Sequence, residues 1–162
     1  MTDQRAQPRP LDPVPTQELR QDNDLSHVLS MWQDDNASLR MGMKALVIEP
    51  DHAVVRMTVT EEMVNGHGTA HGGFIFTLAD STFGLVCNTR GVPTVAAACD
   101  IVFVAPAHLG DVLISEGRQR LVFGRSGITD VTITREQDGA VIAEFRGRSR
   151  VIPESALPKH MY

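Results

Sequence analysis

Asp80 is the residue of this sequence whose type and surroundings point most directly to chemistry. It lies in the middle of the apolar run Phe74-Ile-Phe-Thr-Leu-Ala-Asp-Ser-Thr-Phe83, whose composition predicts burial. A buried carboxylate without a partner is costly in free energy. The carboxylate is therefore either satisfied by a nearby hydroxyl, Ser81 or Thr77, or is a functional group with a shifted pKa in a dry pocket.

The triplet His71-Gly72-Gly73 precedes the same apolar run and supplies a second chemical feature. The first backbone N–H groups of a helix have no partner within that helix, so they point at any group that approaches the helix end. Such a terminus can stabilise a developing oxyanion. Glycine also serves tight backbone packing alone, so the doublet has a purely structural interpretation as well.

His67 and His71, with Asp80 as a third ligand, raise the question of a metal site. Their spacing matches the two histidines of a zincin helix, but residues 68–70 lack the glutamate that activates water in those enzymes. Glycine within this stretch also disfavours a helix there. We therefore predict no metal and no cofactor, and interpret His71 as a residue that fixes the loop or assists the substrate carbonyl.

Arginines recur at a spacing of two in the last predicted strand, on the face opposite its apolar residues; they are Arg146, Arg148 and Arg150. Such a row is commonly only a solvated face. In an acidic protein it could also receive the phosphates of a nucleotide-bearing carrier. Arg90 and Arg125, which lie beside glycines in predicted turns, could contribute in the same way.

The elements that must position these residues follow from the hydrophobic pattern. Apolar residues at helical spacing predict a short amphipathic helix behind Asn23 or Asp24 that ends near Asn36. The run from His71 to about Thr89 is apolar on nearly every side and predicts a long buried helix. Strands are predicted over residues 45–48, 53–59, 94–104, 112–123, 127–135 and 140–152. A helix of this kind needs a sheet curled around it, or a sheet on one side and a partner on the other.

Composition limits the class of protein. The 162 residues are 42% hydrophobic, which suits one domain with its own core, over residues 23–153. Residues 1–22 are rich in proline and predict a flexible tail, and residues 154–162 form a second tail. The net charge of -5 without a long basic run argues against nucleic acid as a partner.

The apolar segments also argue against secretion and against a membrane. The longest of them, residues 74–87, would span only about 21 Å as a helix, less than the roughly 30 Å of a bilayer core. The N-terminus has no apolar stretch of signal-peptide length, so we expect a cytoplasmic protein. Cys87 and Cys99 lie in apolar stretches and are interpreted as buried thiols.

The sequence resembles the phenylacetyl-CoA thioesterase branch of the hotdog-fold thioesterases, in the segment Asn65-Gly-His-Gly-Thr-Ala-His71-Gly-Gly-Phe-Ile-Phe-Thr-Leu-Ala-Asp80-Ser. Cys87-Asn88 and Phe145-Arg-Gly-Arg-Ser149 follow in the family order, and the similarity extends from residue 25 to residue 152. The resemblance implies an α+β hotdog fold, in which a curved antiparallel sheet wraps a long central helix.

The resemblance also implies roles for single residues. Asp80 would be the catalytic carboxylate, as general base or nucleophile, and Gly72 would offer its N–H to the thioester carbonyl. Asn65 and His71 would position the substrate or the water, with Gly73 beside them. Each site would be built from two chains, so the smallest active unit would be a homodimer, and the family commonly forms a dimer of dimers. The partner would be an acyl-CoA, with its phosphates on surface arginines.

One departure and two alternatives accompany this interpretation. Some relatives place a serine on the strand after the helix to hold the water, whereas this chain has Ala96-Ala-Ala98 there, so Ser81 takes over or the carboxylate works alone. The acyl group is expected to be aryl-acetyl or medium-chain. An acyl-CoA dehydratase or hydratase, or a non-catalytic acyl-CoA-binding module, would share the fold; the former needs a second acid/base residue across the pocket.

Overall fold

A long helix, Gly72–Asn88, forms where the sequence is apolar on nearly every side, and six strands surround it. The structure, a computed structural model, describes residues 24–153, so the two predicted tails lie outside the described residues. The helices are α1 (Ser26–Gln33), α2 (Asn36–Arg40) and α3 (Gly72–Asn88). The strands are β1 (Lys44–Glu49), β2 (His52–Thr58), β3 (Thr94–Phe103), β4 (Val112–Phe123), β5 (Ser126–Arg135) and β6 (Val141–Val151).

The strands form one antiparallel sheet in the order β1-β2-β4-β5-β6-β3. Helix α3 contacts every strand of this sheet, so the sheet curves around it. The large side chains at its centre, among them Leu78, Phe83 and Val86, are fully buried. This is the arrangement that the resemblance implied.

The N-terminal helix differs from the prediction. A single helix was expected to end near Asn36, but α1 ends at Gln33 and α2 is a separate turn that begins at Asn36. Asp35 causes the break, because it takes a non-helical conformation and its side chain caps the backbone N–H of Ser38. A 3-10 turn at Glu61–Met63, in the stretch before the His-Gly-Gly loop, was also not predicted.

Glycines on the inner face of the sheet let α3 approach closely. A Cβ at Gly147 of β6 would overlap the ring of Phe83, and a Cβ at Gly117 of β4 would press on Val86 and Thr82. The far end of α3 is fixed by Asn88, whose amide donates to the Thr94 carbonyl and accepts from its N–H. These two hydrogen bonds fix the end of α3 against the start of β3.

Strand β3 forms one of the two edges of the sheet, and β1 forms the other. Strand β3 pairs with β6 on one side only, with a bulge between Ala96 and Ala98. Its exposed residues are mostly apolar and include Val95, the three alanines at 96–98, Val102 and Phe103. The other side of the strand has backbone groups without a partner strand and apolar side chains around them, so another strand can dock there.

No helix among the described residues has the length and apolar character needed to cross a membrane. The two cysteines are free: Cys87 is buried, as expected, while Cys99 is only half-buried. Burial raises the pKa of the Cys87 thiol to about 12, so it is not a nucleophile at neutral pH.

Candidate active site

The loop before α3 is held by its own hydrogen bonds. The Asn65 side-chain oxygen accepts from the backbone N–H of His67 at 2.8 Å, and its amide donates to Thr69 Oγ1 at 3.2 Å. The backbone of Asn65 also pairs with the Thr69 carbonyl, at 2.8 Å. Asn65 therefore holds the shape of this loop, and a contact of its side chain with the substrate or the water stays a prediction.

His71 is the N-cap of α3. Its Nδ1 accepts from the backbone N–H of Gly73 at 2.9 Å, so in the neutral ring the proton is on Nε2. The carbonyl of His71 accepts from Phe74 N–H at 3.0 Å. Gly73 was predicted to contact the substrate, but its amide N–H is occupied by His71, so a contact through that N–H would require the His71 ring to move.

The N–H of Gly72, the first residue of α3, is available to a ligand. Within residues 24–153 no group accepts a hydrogen bond from it, whereas the amides of the next two residues are both satisfied. The ring of Phe103 packs against Gly72, and beside it is an open cleft of about 350 Å³. Ile75, Val104 and Ala107 are among the apolar residues that line this cleft. An N–H without an acceptor in the lining of an apolar cleft can stabilise a negative oxygen that approaches it.

Asp80 is half-buried on α3, and no described residue hydrogen-bonds to its carboxylate. The two hydroxyls that could have satisfied it are used elsewhere: Thr77 Oγ1 donates to the Gly73 carbonyl at 2.9 Å, and Ser81 pairs with Ser38. The purely structural interpretation of Asp80 is therefore not realised. Desolvation by burial, and then the negative charge of Asp35, raise the pKa of Asp80 above its ordinary value.

Comparison with known proteins places this chain in a family. The chain is 38% identical over 123 residues to the acyl-coenzyme A thioesterase PaaI of Escherichia coli (strain K12), an alignment that covers 76% of this chain and 87% of PaaI. The chain belongs to the thioesterase superfamily. The family model matches residues 67–142, which run from the His71 loop to the start of β6.

Solved structures agree with this assignment of the thioesterase domain. The structure of the E. coli PaaI protein superposes with a TM-score of 0.77 at 36% identity and covers 79% of this chain and 92% of that one, which confirms the hotdog fold. A Streptococcus mutans UA159 protein bound to acetyl-CoA gives a TM-score of 0.66 at 31% identity, over 68% of this chain and 88% of that one. Human acyl-coenzyme A thioesterase 13 is 34% identical over 99 residues, 60% of this chain and 71% of its own.

Of the five arginines considered for binding carrier phosphates, the three of β6 lie on the outer face of the sheet, and Arg90 and Arg125 lie in turns. Three of the five already have carboxylate partners. Arg90 donates to Asp51, Arg146 to Asp130 and Arg148 to Asp100, over N···O distances between 2.6 and 2.8 Å. The Arg146 guanidinium lowers the pKa of Asp130. Arg125, in the β4–β5 turn, and Arg150 are exposed. A phosphate would have to displace a carboxylate at Arg90, Arg146 or Arg148. At Arg125 and Arg150 it would meet an exposed side chain.

The thioesterase domain contains no group of three or more His, Cys, Asp and Glu side chains, within residues 24–153, that could hold a metal ion. His67 is exposed on its loop, and Nδ1 of His71 is occupied by the helix cap.

Sequence reasoning missed Asp35 and Ser38. Ser38 Oγ donates to Asp35 at 2.5 Å and lies 2.7 Å from Ser81 Oγ, next to Asp80 in the chain. The local signal was an Asp three residues before a Ser at a helix start, a common capping pattern. Its link to Ser81, across 43 positions, carried no signal in the sequence.

Proposed function

We propose that the protein hydrolyses an acyl-CoA thioester to a free acid and CoA. The observation that carries the proposal is the pair of groups on α3: an unoccupied Gly72 N–H at its start, and a half-buried Asp80 without a partner and with a raised pKa. A relative aligned over 76% of the chain is named an acyl-CoA thioesterase, and the structure of another relative is bound to acetyl-CoA.

The reaction needs one donor and one base. The thioester carbonyl oxygen accepts from the Gly72 N–H, which stabilises the charge that develops there. Asp80 removes a proton from water as the water oxygen attacks the carbonyl carbon, or attacks that carbon itself and is released by water in a second step. The C–S bond then breaks, and the CoA thiolate takes up a proton. His71 Nε2–H is a second donor available near the carbonyl.

One chain cannot supply both groups to the same carbonyl. Gly72 and Asp80 are eight residues apart on α3, a rise of about 12 Å. The base and the oxyanion donor of one site must each lie about 3 Å from the reacting atoms. We therefore propose that Asp80 of one protomer faces the Gly72 loop of another, in a homodimer whose interface includes the apolar edge β3. Two such dimers would form the homotetramer.

Active-site complementation tests this arrangement. Asp80→Asn and Gly72→Pro each inactivate every site of a homodimer, but a mixed dimer keeps one site with both groups intact. Random mixing makes half of the dimers mixed, with one intact site of two, so about a quarter of wild-type activity is expected to return. Thiol release is measured after the two inactive variants are unfolded and refolded together.

The same variants refolded separately are the control and should stay inactive. If both groups act within one chain, mixing restores nothing, since neither chain has both. A fully active monomer in light scattering at micromolar concentration would also contradict the shared site.

The acyl group is proposed to be aryl-acetyl or medium-chain, which the apolar lining of the cleft beside Gly72 supports. A panel of aryl- and alkyl-CoA thioesters, assayed for free thiol, tests the function directly. We expect turnover of phenylacetyl-CoA or of a medium-chain acyl-CoA. Ligand binding without thiol release from any of these thioesters would instead indicate a non-catalytic acyl-CoA-binding protein.

Carrier recognition gives a further prediction. If Arg90, Arg125, Arg146 or Arg148 contacts the CoA phosphates, replacing it with alanine is expected to raise KM with little change in kcat, because phosphate binding is common to ground and transition states. Arg56→Ala is the matched control: Arg56 pairs with Glu136 and lies on β2, towards the other edge of the sheet. Unchanged KM in all four variants would make these arginines a solvated face only.

Both cysteines are free thiols, which supports a cytoplasmic location, where reducing conditions keep thiols reduced.

A further inference from the structure

A chain of three hydrogen-bonded side chains links the short helix α2 to the residue after Asp80. Asp35 accepts from the Ser38 N–H through Oδ1 and from the Ser38 hydroxyl through Oδ2, at 3.0 and 2.5 Å. Ser38 Oγ lies 2.7 Å from Ser81 Oγ on α3. Ser38 is only 1% exposed, so this contact between the two helices is shielded from water.

The direction of the hydrogen bonds in this chain is fixed by chemistry. A carboxylate only accepts, so the single proton of the Ser38 hydroxyl goes to Asp35. Ser38 Oγ can then only accept from Ser81, and the Ser81 proton is committed to it. Towards any group on the Asp80 side of the helix, the Ser81 hydroxyl can therefore act only as a hydrogen-bond acceptor. It can accept a hydrogen bond from a water held there, and it cannot donate to Asp80 or to the substrate.

The structure assigns Asp35 as a positioning residue for thioester hydrolysis: through Ser38 it holds Ser81 as an acceptor beside Asp80, and its negative charge acts on Asp80. The inference rests on the proposed function, since it gives Asp80 the role of base or nucleophile. It also gives Ser81 a defined part in place of the serine that the strand after α3 lacks.

Among the charged groups around Asp80, Asp35 is the one whose charge changes the pKa of Asp80, and it adds to the effect of burial. Cys87 on α3 and Cys99 on β3 also interact with Asp80, but burial raises the pKa of both thiols, so they are uncharged at neutral pH. The charged residues of β3 and β6, namely Asp100, Glu144, Arg146, Arg148 and Arg150, lie on the outer face of the sheet. The titratable residues of α1 and α2, His27 and Arg40, are not among the charges that act on Asp80.

Asp35→Asn separates the proposed role from a role in folding. Asparagine caps a helix as well as aspartate does, so α2 should persist. Its amide can donate to Ser38, which reverses the hydrogen bonds and frees the Ser81 proton, and the negative charge is gone. We expect kcat to fall about tenfold, in line with the loss of a hydrogen bond to a charged group, while KM stays unchanged. Removing a negative charge stabilises ionised Asp80, so the acid limb of the kcat/KM profile is expected to move to lower pH.

Two further variants are matched to this one. Ser38→Ala breaks the chain but keeps the charge, so kcat should fall while the acid limb stays in place. Asp34→Asn removes a charge from the exposed neighbour and should change neither quantity. Titration of the Asp80 carboxyl carbon by NMR in the resting protein reports the same shift without an assay of activity.

The outcomes separate this inference from the proposed function. If Asp80→Asn is inactive but Asp35→Asn has the wild-type acid limb and the wild-type Asp80 titration, Asp35 is only a helix cap and the inference is overturned. If Asp80→Asn itself retains turnover, the role of Asp80 in the proposed function fails, and the inference fails with it. If no acyl-CoA thioester is hydrolysed by the wild type, the proposed function fails first. A folded Asp35→Asn with lower kcat, a shifted acid limb and a shifted Asp80 titration supports the assignment.

Discussion

Replacing Asp80 with asparagine is expected to lower kcat at least about a hundredfold, the usual contribution of a general base. Asparagine keeps the shape of the side chain but can neither take a proton from water nor attack carbon. The variant should still bind acyl-CoA, because the cleft and the Gly72 amide are unchanged. Thiol release and acyl-CoA binding on the same purified protein give the result.

The fold should survive this change. The raised pKa of Asp80 means that the folded state holds its proton more tightly than the unfolded chain. Its contribution to stability is therefore present at low pH and is lost as pH rises through the folded pKa, so at neutral pH the ionised side chain costs stability. The melting temperature of Asp80→Asn at neutral pH is expected to equal or exceed that of the wild type. An unfolded variant would instead make Asp80 a structural residue.

Gly72→Pro is expected to lower kcat by about a hundredfold to a thousandfold, the range found when one oxyanion donor is removed. Proline has no N–H, and it is well accepted at the first position of a helix. The residue before a proline must be extended, and His71 already has φ -64° and ψ 131°. The substitution therefore removes the donor with little change in the backbone, and circular dichroism should match the wild type.

Gly72→Ala is the matched control for this variant. It keeps the N–H and introduces the same Cβ, which would lie 3.0 Å from the ring of Phe103. Any loss shared by the two variants comes from this crowding, and the excess loss in the proline variant measures the donor. Equal activity in the two would exclude the Gly72 amide as the oxyanion site.

The elements set by a repeating pattern were predictable from the sequence. Helix α3 and the six strands lie close to their predicted ranges, because an apolar run or an alternation along the chain reports local burial. The split between α1 and α2 was missed, since the capping geometry of Asp35 outweighs an apolar spacing that continues past it. The 3-10 turn at Glu61–Met63 is too short to produce a recognisable pattern in the sequence.

Side-chain contacts between residues far apart in the chain could not be predicted from the sequence. Arg148 reaches Asp100 over 48 positions and Ser38 reaches Ser81 over 43, and both depend on how strands and helices come together. The row of arginines on β6 was correctly placed on the outer face, but its partners are set by the register of the neighbouring strands. The sequence thus indicated which side chains could act, and packing decided which of them are free to do so.

In the proposed dimer, the apolar edge β3 would be covered only after two copies of the chain meet. Asp100 is the single charged residue between Thr94 and Phe103, and Arg148 binds it, so little remains to repel a foreign strand. Until then a single copy would carry this edge without a partner strand, and an exposed apolar edge favours misassembly. Rapid formation of the dimer would then cover this edge as well as complete the proposed active site. Selection against polar substitutions at these alanines and valines would therefore act on proteostasis as much as on turnover.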